Sequence, residues 1–391
     1  MTTASATIDS SEPFVLLDDA RPGGAAHLYR DVKGIIVAEA ADEVATALVR
    51  VREAVRGGCH AVGFVSYSAR SAFEVRLGQD DQPEDALPCL WFGLFAERVA
   101  LDADALSGLL ADAGQATISS VKPLIDFATY AAAFERVKAL IIAGDIYQAN
   151  LTFQTAIELA GSPLAIHNLL RGRSASAWGG IVHTGSRWIL SSSPELFFRL
   201  ERGRLSTKPM KGTAPADADI AALRDDPKQR AENLMIVDLL RNDMARVCEP
   251  GSVRVTRLFE VERYPTIQQM TSTIEARLLP MLDAIDVLEA LFPCGSITGA
   301  PKIRAVEITN ALETSARGLY TGAIGRLSPD GDAVFNVAIR TLIMDRDGRS
   351  ARLGLGSAIV ADSDAHEEWS ECLAKARFVC PDLQAASFLN T

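Results

Sequence analysis

With 391 residues, 48% hydrophobic and 23% charged, the chain can form one large domain or two of ordinary size, and it has the profile of a water-soluble globular protein. Its 39 Lys and Arg against 50 Asp and Glu leave a net charge of −11, which argues against a nucleic-acid partner, whose phosphates need a basic face. No apolar run reaches membrane-spanning length, and the amino terminus MTTASATIDSSE has no apolar signal region, so neither membrane insertion nor secretion is expected.

Residues 1–12 read as a frayed tail. FVLLDDA, HLYR and GIIVAEA then give short strands separated by turns. A helix follows over about 42–56, with Val44, Leu48, Val51 and Val55 on one stripe, Asp42 as N-cap and Gly57-Gly58 as the stop. HAVGFVSYS and CLWFGLFAERVAL read as strands, and 103–122, rich in Ala, Gly and Ser, as a linker with one helical turn. Tyr130, Phe134, Val137 and Ile141 predict a helix over Phe127–Ala143, ended by Gly144-Asp145.

Beyond it, IYQANLTFQTAIEL, RWILSS, ELFFRLE, RLSTKPM, SVRVTRLF, GLYTGAIGRLS, AVFNVAIRTLIMD and ARLGLGSAIVA read as strands, with SPDG and RDG as hairpin turns. Helices are expected near 228–246, 281–292, 301–312 and 365–378. Hairpin-linked strands with helices between them predict an α/β protein of the α+β type with large antiparallel sheets.

Several apparent signals carry no chemistry. Gly354-Leu-Gly356 lacks the third glycine and the following helix of a dinucleotide fingerprint, and reads as a loop of small residues. GSITGAPK has the wrong spacing for a phosphate loop, and Pro301 removes a backbone donor from it. The five histidines are scattered. The six cysteines form no CxxC pair and are expected to be reduced thiols of a cytoplasmic protein.

Five segments hold polar residues that folding alone does not require: SSSPELFF with Glu195, KPMKGT with Lys211, RAENLMIVDLLRND with Glu232, FPCGSITGAPKIRA with Ser296 and Thr298, and GLGSAIVADSDAHEEWSECLAKA. In the last, Glu368, Glu371 and Lys375 fall at i, i+3 and i+7 on one helical face. That spacing suits an exposed Glu371–Lys375 ion pair, and equally two carboxylates for a hard divalent cation such as magnesium.

In this order the five segments resemble the chorismate-utilising enzymes: anthranilate, aminodeoxychorismate, isochorismate and salicylate synthases. The resemblance covers about Phe127 to Phe378, and FVLLDDA resembles the N-terminal segment of the anthranilate and aminodeoxychorismate branch. It implies one large sandwich of two broad antiparallel sheets flanked by helices. Within it, 13–122 is an N-terminal region and 123–380 a chorismate-binding catalytic region, which merge structurally.

Two positions bear on the branch. Isochorismate and salicylate synthases carry a water-activating lysine where this chain has Gln148, and anthranilate synthases typically have alanine where it has Lys211. The pair implies the aminodeoxychorismate synthase branch (component I), which converts chorismate and ammonia to 4-amino-4-deoxychorismate on the way to 4-aminobenzoate. A nucleophilic Lys211 must be neutral, which burial or a nearby cation would achieve by lowering its pKa.

The resemblance further implies Glu195 as general acid, and Mg²⁺ held by Glu232 and Glu371 with Glu368 close by. Arg340 and Tyr320 would grip the enolpyruvyl carboxylate, and Lys375, Ser296, Thr298 and the Gly356 backbone would complete the anion site. Gln148 would line the substrate pocket. Such a convergence of cations would let an acidic chain bind a dianion. With no glutaminase motif and no room for a fused lyase, a separate glutamine amidotransferase subunit and a downstream aminodeoxychorismate lyase are expected as partners.

Two departures stand out. Gln269 replaces a histidine linked to pyruvate elimination in anthranilate synthases. Ala358 replaces a glycine and would be strained if its φ were positive. The rival readings are an isochorismate or salicylate synthase, an anthranilate synthase, and a non-catalytic subunit that binds an amino acid.

Overall fold

The computed structural model describes residues 8–78, 86–111, 113–215, 217–264 and 267–383; residues 1–7 of the expected tail lie outside this set. Among the described residues the strands form two ten-stranded antiparallel sheets. The first runs Gly299–Ala300, Gln148–Ala160, Ser350–Ile359, Thr341–Met344, Trp188–Ser193, Trp178–His183, Phe14–Asp18, Ala26–Tyr29, Val99–Leu101, with Thr117–Pro123 also on Gln148–Ala160. The second runs Met210–Pro215, Ile267–Arg277, Arg204–Lys208, Leu196–Glu201, Ala333–Val337, Ala323–Leu327, His60–Val65, Leu90–Phe95, Gly34–Ala38, with Arg254–Arg263 also on Ile267–Arg277.

Apolar burial stacks these sheets. Val15, Tyr29, Val182 and Ile189 of the first meet Val62, Phe64, Phe95 and Ile324 of the second in one shared core. The outer face of the first packs on helices Phe127–Ile142, Pro163–Ser174 and Ala365–Ala374 through Phe134, Ile166 and Trp369. The outer face of the second packs on helices Val44–Arg56, Pro227–Ala245 and Ala284–Leu291 through Val51, Leu240 and Leu288. The result is the helix-flanked sandwich of two broad sheets expected from the sequence.

Several local expectations are corrected. The stretch read as a linker is a helix, Ala103–Ala111, burying Leu106 and Leu110, followed by the edge strand Thr117–Pro123; two leucines one turn apart suffice to dock a short helix. Asp42 is not the N-cap: Ala40 caps a 3-10 turn, and the Glu43 carboxylate accepts from the Glu39 and Ala40 amides. Gly354 and Gly356 lie inside a strand, Ser350–Ile359, and not in a loop. Ala358 is absent from the positive-φ residues and pairs in register with Asn150, so alanine is unstrained there.

Three runs read as single strands are broken. CLWFGLFAERVAL divides into Leu90–Phe95 and Val99–Leu101, and AVFNVAIRTLIMD into Ala333–Val337 and Thr341–Met344, each pair split between the two sheets. RLSTKPM breaks at Pro209, which has no amide for the ladder. Hydropathy follows burial and does not report which sheet a residue joins. The strands Trp178–His183 and Ile267–Arg277 and the helix Pro163–Ser174 are additions. In Ile267–Arg277, Gln268, Thr271 and Ser272 are fully buried, so a central strand is written in polar residues.

Candidate active site

The chain crosses between the sheets at Pro194-Glu195, from Trp188–Ser193 to Leu196–Glu201, and crosses back at Ala338–Arg340, between Ala333–Val337 and Thr341–Met344. The crossings lie side by side. The Val337 amide donates to the Glu195 carbonyl (3.1 Å), the Ser192 amide to the Arg340 carbonyl (2.9 Å), and the Ser193 hydroxyl to the Val337 carbonyl (2.6 Å). Two candidate side chains therefore leave the backbone where ladder pairing stops, and Arg340 does so with a φ of +48°, a conformation that costs a non-glycine residue free energy.

Glu195 is 4% exposed, and its Oε1 has no hydrogen-bond partner among the described residues. Burial raises its pKa to about 7, against the opposing pull of the Ser296 hydroxyl and the charge of Lys211. Ser296 comes from the short turn Gly295–Ile297, where its hydroxyl is 3.3 Å from the Cys294 thiol. The Thr298 hydroxyl donates to the Gly295 carbonyl at 3.1 Å, inside its own turn.

Lys211 stands on a β-bulge of Met210–Pro215 against Ile267–Arg277: Met210 opposes Thr271 and Thr213 opposes Gln269, so Lys211 and Gly212 together face Met270. Gly212 has a φ of +95°, which glycine adopts without a Cβ clash. Desolvation lowers the Lys211 pKa, and Lys375 adds to this; Glu232, Glu371 and Glu195 pull the other way. The amine thus lies within electrostatic reach of four other predicted site residues, from three separate parts of the fold.

Glu232 lies in the helix Pro227–Ala245, and Glu368, Glu371 and Lys375 lie in or at the end of Ala365–Ala374. Burial raises the Glu232 pKa, with Glu368 and Glu371 adding to this and Lys211 and Lys228 opposing it. The expected Glu371–Lys375 pair forms at 2.8 Å, and Lys375 also donates to the Gly356 carbonyl at 2.7 Å. Lys375 holds the Glu371 pKa down, while the burial of Lys375, which disfavours its charge, is more than offset by Glu371, Cys372 and Glu368 together, so its pKa is raised. Glu368 accepts from the Ser363 hydroxyl at 2.7 Å.

These carboxylates supply only oxygen donors, and their mutual repulsion at Glu232 would be relieved by a hard divalent cation. The donor chemistry fits magnesium, although no three acidic, histidine or cysteine side chains are already gathered around one point among the described residues.

Tyr320 is buried, and burial raises its pKa; Glu195, Glu313 and Cys372 are among the charges that act on it. Arg340 stands apart from the lysine–glutamate group. Burial lowers its pKa, Tyr264 is its electrostatic neighbour, and its guanidinium makes no ion pair among the described residues. Gln148 is fully buried with neither end of its carboxamide bonded among the described residues. It pairs through its backbone with Ala300, just beyond the Ser296 turn.

A family model described as chorismate binding enzyme matches residues 12–381. The chain belongs to that family. Anthranilate synthase component I from Streptococcus pneumoniae superposes on this chorismate binding enzyme with a TM-score of 0.78 at 28% identity, covering 96% of this chain and 94% of that one. A protein of Streptomyces globisporus named 2-amino-4-deoxychorismate synthase is 39% identical over 73% of this chain and 59% of its own length. Aminodeoxychorismate synthase component 1 of Klebsiella aerogenes is 40% identical over 66% of this chain and 58% of its own. The chain thus spans just under 60% of the length of these two relatives.

In this chorismate binding enzyme, the supports of the site escaped the sequence reading. Lys302 pairs with Asp243 at 2.6 Å and donates to the Leu291 and Pro293 carbonyls, joining the Glu232 helix to the segment before Ser296. Arg317 pairs with Glu313 at 2.8 Å and donates to the Ile297 and Asn150 carbonyls, pinning the Ser296 turn to Gln148–Ala160. Asn233, fully buried, bonds the Lys211 carbonyl and Ser272. A signal existed: Asn233 and Asp243 share a helical face with Ile236 and Leu240, and a polar residue on an apolar stripe implies a buried partner. No helix among the described residues is long and apolar enough to cross a membrane.

Proposed function

We propose that the chain is an aminodeoxychorismate synthase of the component I type, converting chorismate and ammonia to 4-amino-4-deoxychorismate. The observation that carries this reading is the Lys211 amine, desolvated and lowered in pKa beside Glu195, Glu232, Glu371 and Lys375. A lysine in that setting spends more of its time neutral and can act as a nucleophile.

The Lys211 amine bonds to C2 of chorismate. The ring double bonds shift, and the C4–O bond breaks as Glu195 gives the departing hydroxyl its proton, releasing water. Ammonia then bonds to C4, the C2–N bond breaks to restore the free amine, and the surplus ammonium proton returns to the Glu195 carboxylate. A pKa near 7 suits a group that gives and regains a proton at neutral pH. Arg340, without an ion pair among the described residues, takes the enolpyruvyl carboxylate in a bidentate fork with Tyr320 beside it. Lys375, Ser296, Thr298 and the Gly356 backbone serve the remaining anionic oxygens, and Gln148 lines the pocket without offering a base to water. Glu232 and Glu371, with Glu368 nearby, would hold Mg²⁺, which would neutralise the ring carboxylate when bound.

The product retains its enolpyruvyl group, and a lyase would complete the route to 4-aminobenzoate. Ammonia would come from a separate glutamine amidotransferase subunit. The test is Lys211→Ala: ammonium-dependent consumption of chorismate falls at least about a hundredfold, and an unchanged rate removes the nucleophile. A second reading, amination at C2, draws support from the name of the Streptomyces globisporus relative; the position of nitrogen in the product separates the two.

A further inference from the structure

The bulge that carries Lys211 leaves two successive carbonyls, those of Lys211 and Gly212, where the register of the ladder shifts. Buried carbonyls need donors, and both are supplied by side-chain carboxamides. Gln269 Nε2 donates to the Gly212 carbonyl at 2.8 Å, and Asn233 Nδ2 to the Lys211 carbonyl at 3.4 Å.

Each carboxamide is itself held at its oxygen. The Thr213 hydroxyl donates to Gln269 Oε1 at 3.1 Å, and the Ser272 hydroxyl to Asn233 Oδ1 at 2.6 Å. Ser272 in turn accepts from the Phe259 amide at 3.2 Å. Gln269 is 8% exposed and Asn233 fully buried. Both ends of Gln269 are thus engaged by the bulge strand, one N–H by the Gly212 carbonyl and the oxygen by the Thr213 hydroxyl. Asn233 directly follows Glu232, so one helix turn anchors both the Lys211 backbone and that carboxylate.

We propose that Gln269 is a positioning residue, whose carboxamide, together with Asn233, clamps the Lys211–Gly212 bulge and so aims the amine at the substrate. The clamp rests on the reading of Lys211 as nucleophile. A backbone free to relax by about an ångström would take the amine out of attacking geometry while leaving Arg340 and Tyr320 in place.

Gln269→Met keeps the side-chain length and removes both hydrogen bonds. In the full chain, with chorismate and ammonium, kcat is expected to fall at least tenfold with KM for chorismate within twofold. Amide hydrogen exchange followed by mass spectrometry is expected to quicken at least tenfold in peptides covering 210–213 and to stay unchanged over Leu196–Glu201. Thr213→Val, at an exposed position, removes only the bond that orients the carboxamide and gives a smaller change in the same direction; it decides the matter should Gln269→Met fail to fold. A raised KM with kcat intact, or exchange at the wild-type rate over 210–213, overturns the clamp. A wild-type chain that makes no aminated product overturns the functional reading instead, and the exchange measurement still decides for or against the clamp.

Discussion

Tyr320 packs against Gly354 so closely that a Cβ built on the glycine would come within 2.1 Å of the ring Cγ. The ring therefore occupies space that only glycine leaves open in the strand Ser350–Ile359. Gly354→Ala must displace Tyr320 or the strand. Overpacking of this kind costs about 1–3 kcal/mol, and KM for chorismate is expected to rise with it. A wild-type KM in a destabilised variant would take Tyr320 out of the substrate site.

Glu195 predicts a pH dependence with a definite sign. Its carboxyl is raised from an ordinary 4.5 to about 7, so the folded state favours the protonated form. That stabilisation is complete below about pH 4.5 and is lost as the pH rises through about 7. Glu195→Gln, which cannot ionise, is expected to gain stability over the wild type across this window, by on the order of 3 kcal/mol at its upper end. Denaturant titrations at pH 5 and pH 8 check this. In turnover, kcat of the wild type falls as the pH rises past about 7, because the proton donor is lost.

Arg340 is partly buried, its charge is disfavoured by desolvation and makes no ion pair among the described residues, and its backbone is in a strained conformation. An unpaired buried charge destabilises a fold. Arg340→Met is expected to leave stability unchanged or raise it, while KM for chorismate rises by roughly one to two powers of ten through loss of a charged, bidentate contact. Lower stability with an unchanged KM would make the arginine structural.

Lys302 and Asp243 behave in the opposite way. Lys302→Met leaves the 5% exposed Asp243 without its cation and is expected to cost about 3–5 kcal/mol in urea unfolding. A loss below about 1 kcal/mol would show that the pair does not tie the Glu232 helix to the Ser296 segment.

The contrast between these residues explains what the sequence could convey. Glu195, Lys211, Glu232 and Glu371 sit in motifs whose local spacing is distinctive, and the long helices follow apolar stripes such as Tyr130, Phe134 and Val137. Ile267–Arg277 escaped notice because a strand buried on both faces can be built from Gln268, Thr271 and Ser272 when neighbouring segments satisfy them. Sheet exchange at Arg340 escaped for a different reason, since an apolar run reads alike whichever sheet receives it. The clamp at Gln269 depends on a one-residue register shift, which no local pattern encodes.

The fate of the chorismate ring separates the aminating reaction from its rivals. The most direct test is mass and NMR analysis of the product formed from chorismate, ammonium and magnesium by the purified chain, with no lyase added. The expected product is a ring in which the C4 hydroxyl is replaced by an amine and the enolpyruvyl side chain is retained. Anthranilate with free pyruvate, or a hydroxylated isomer of chorismate, would contradict that reaction.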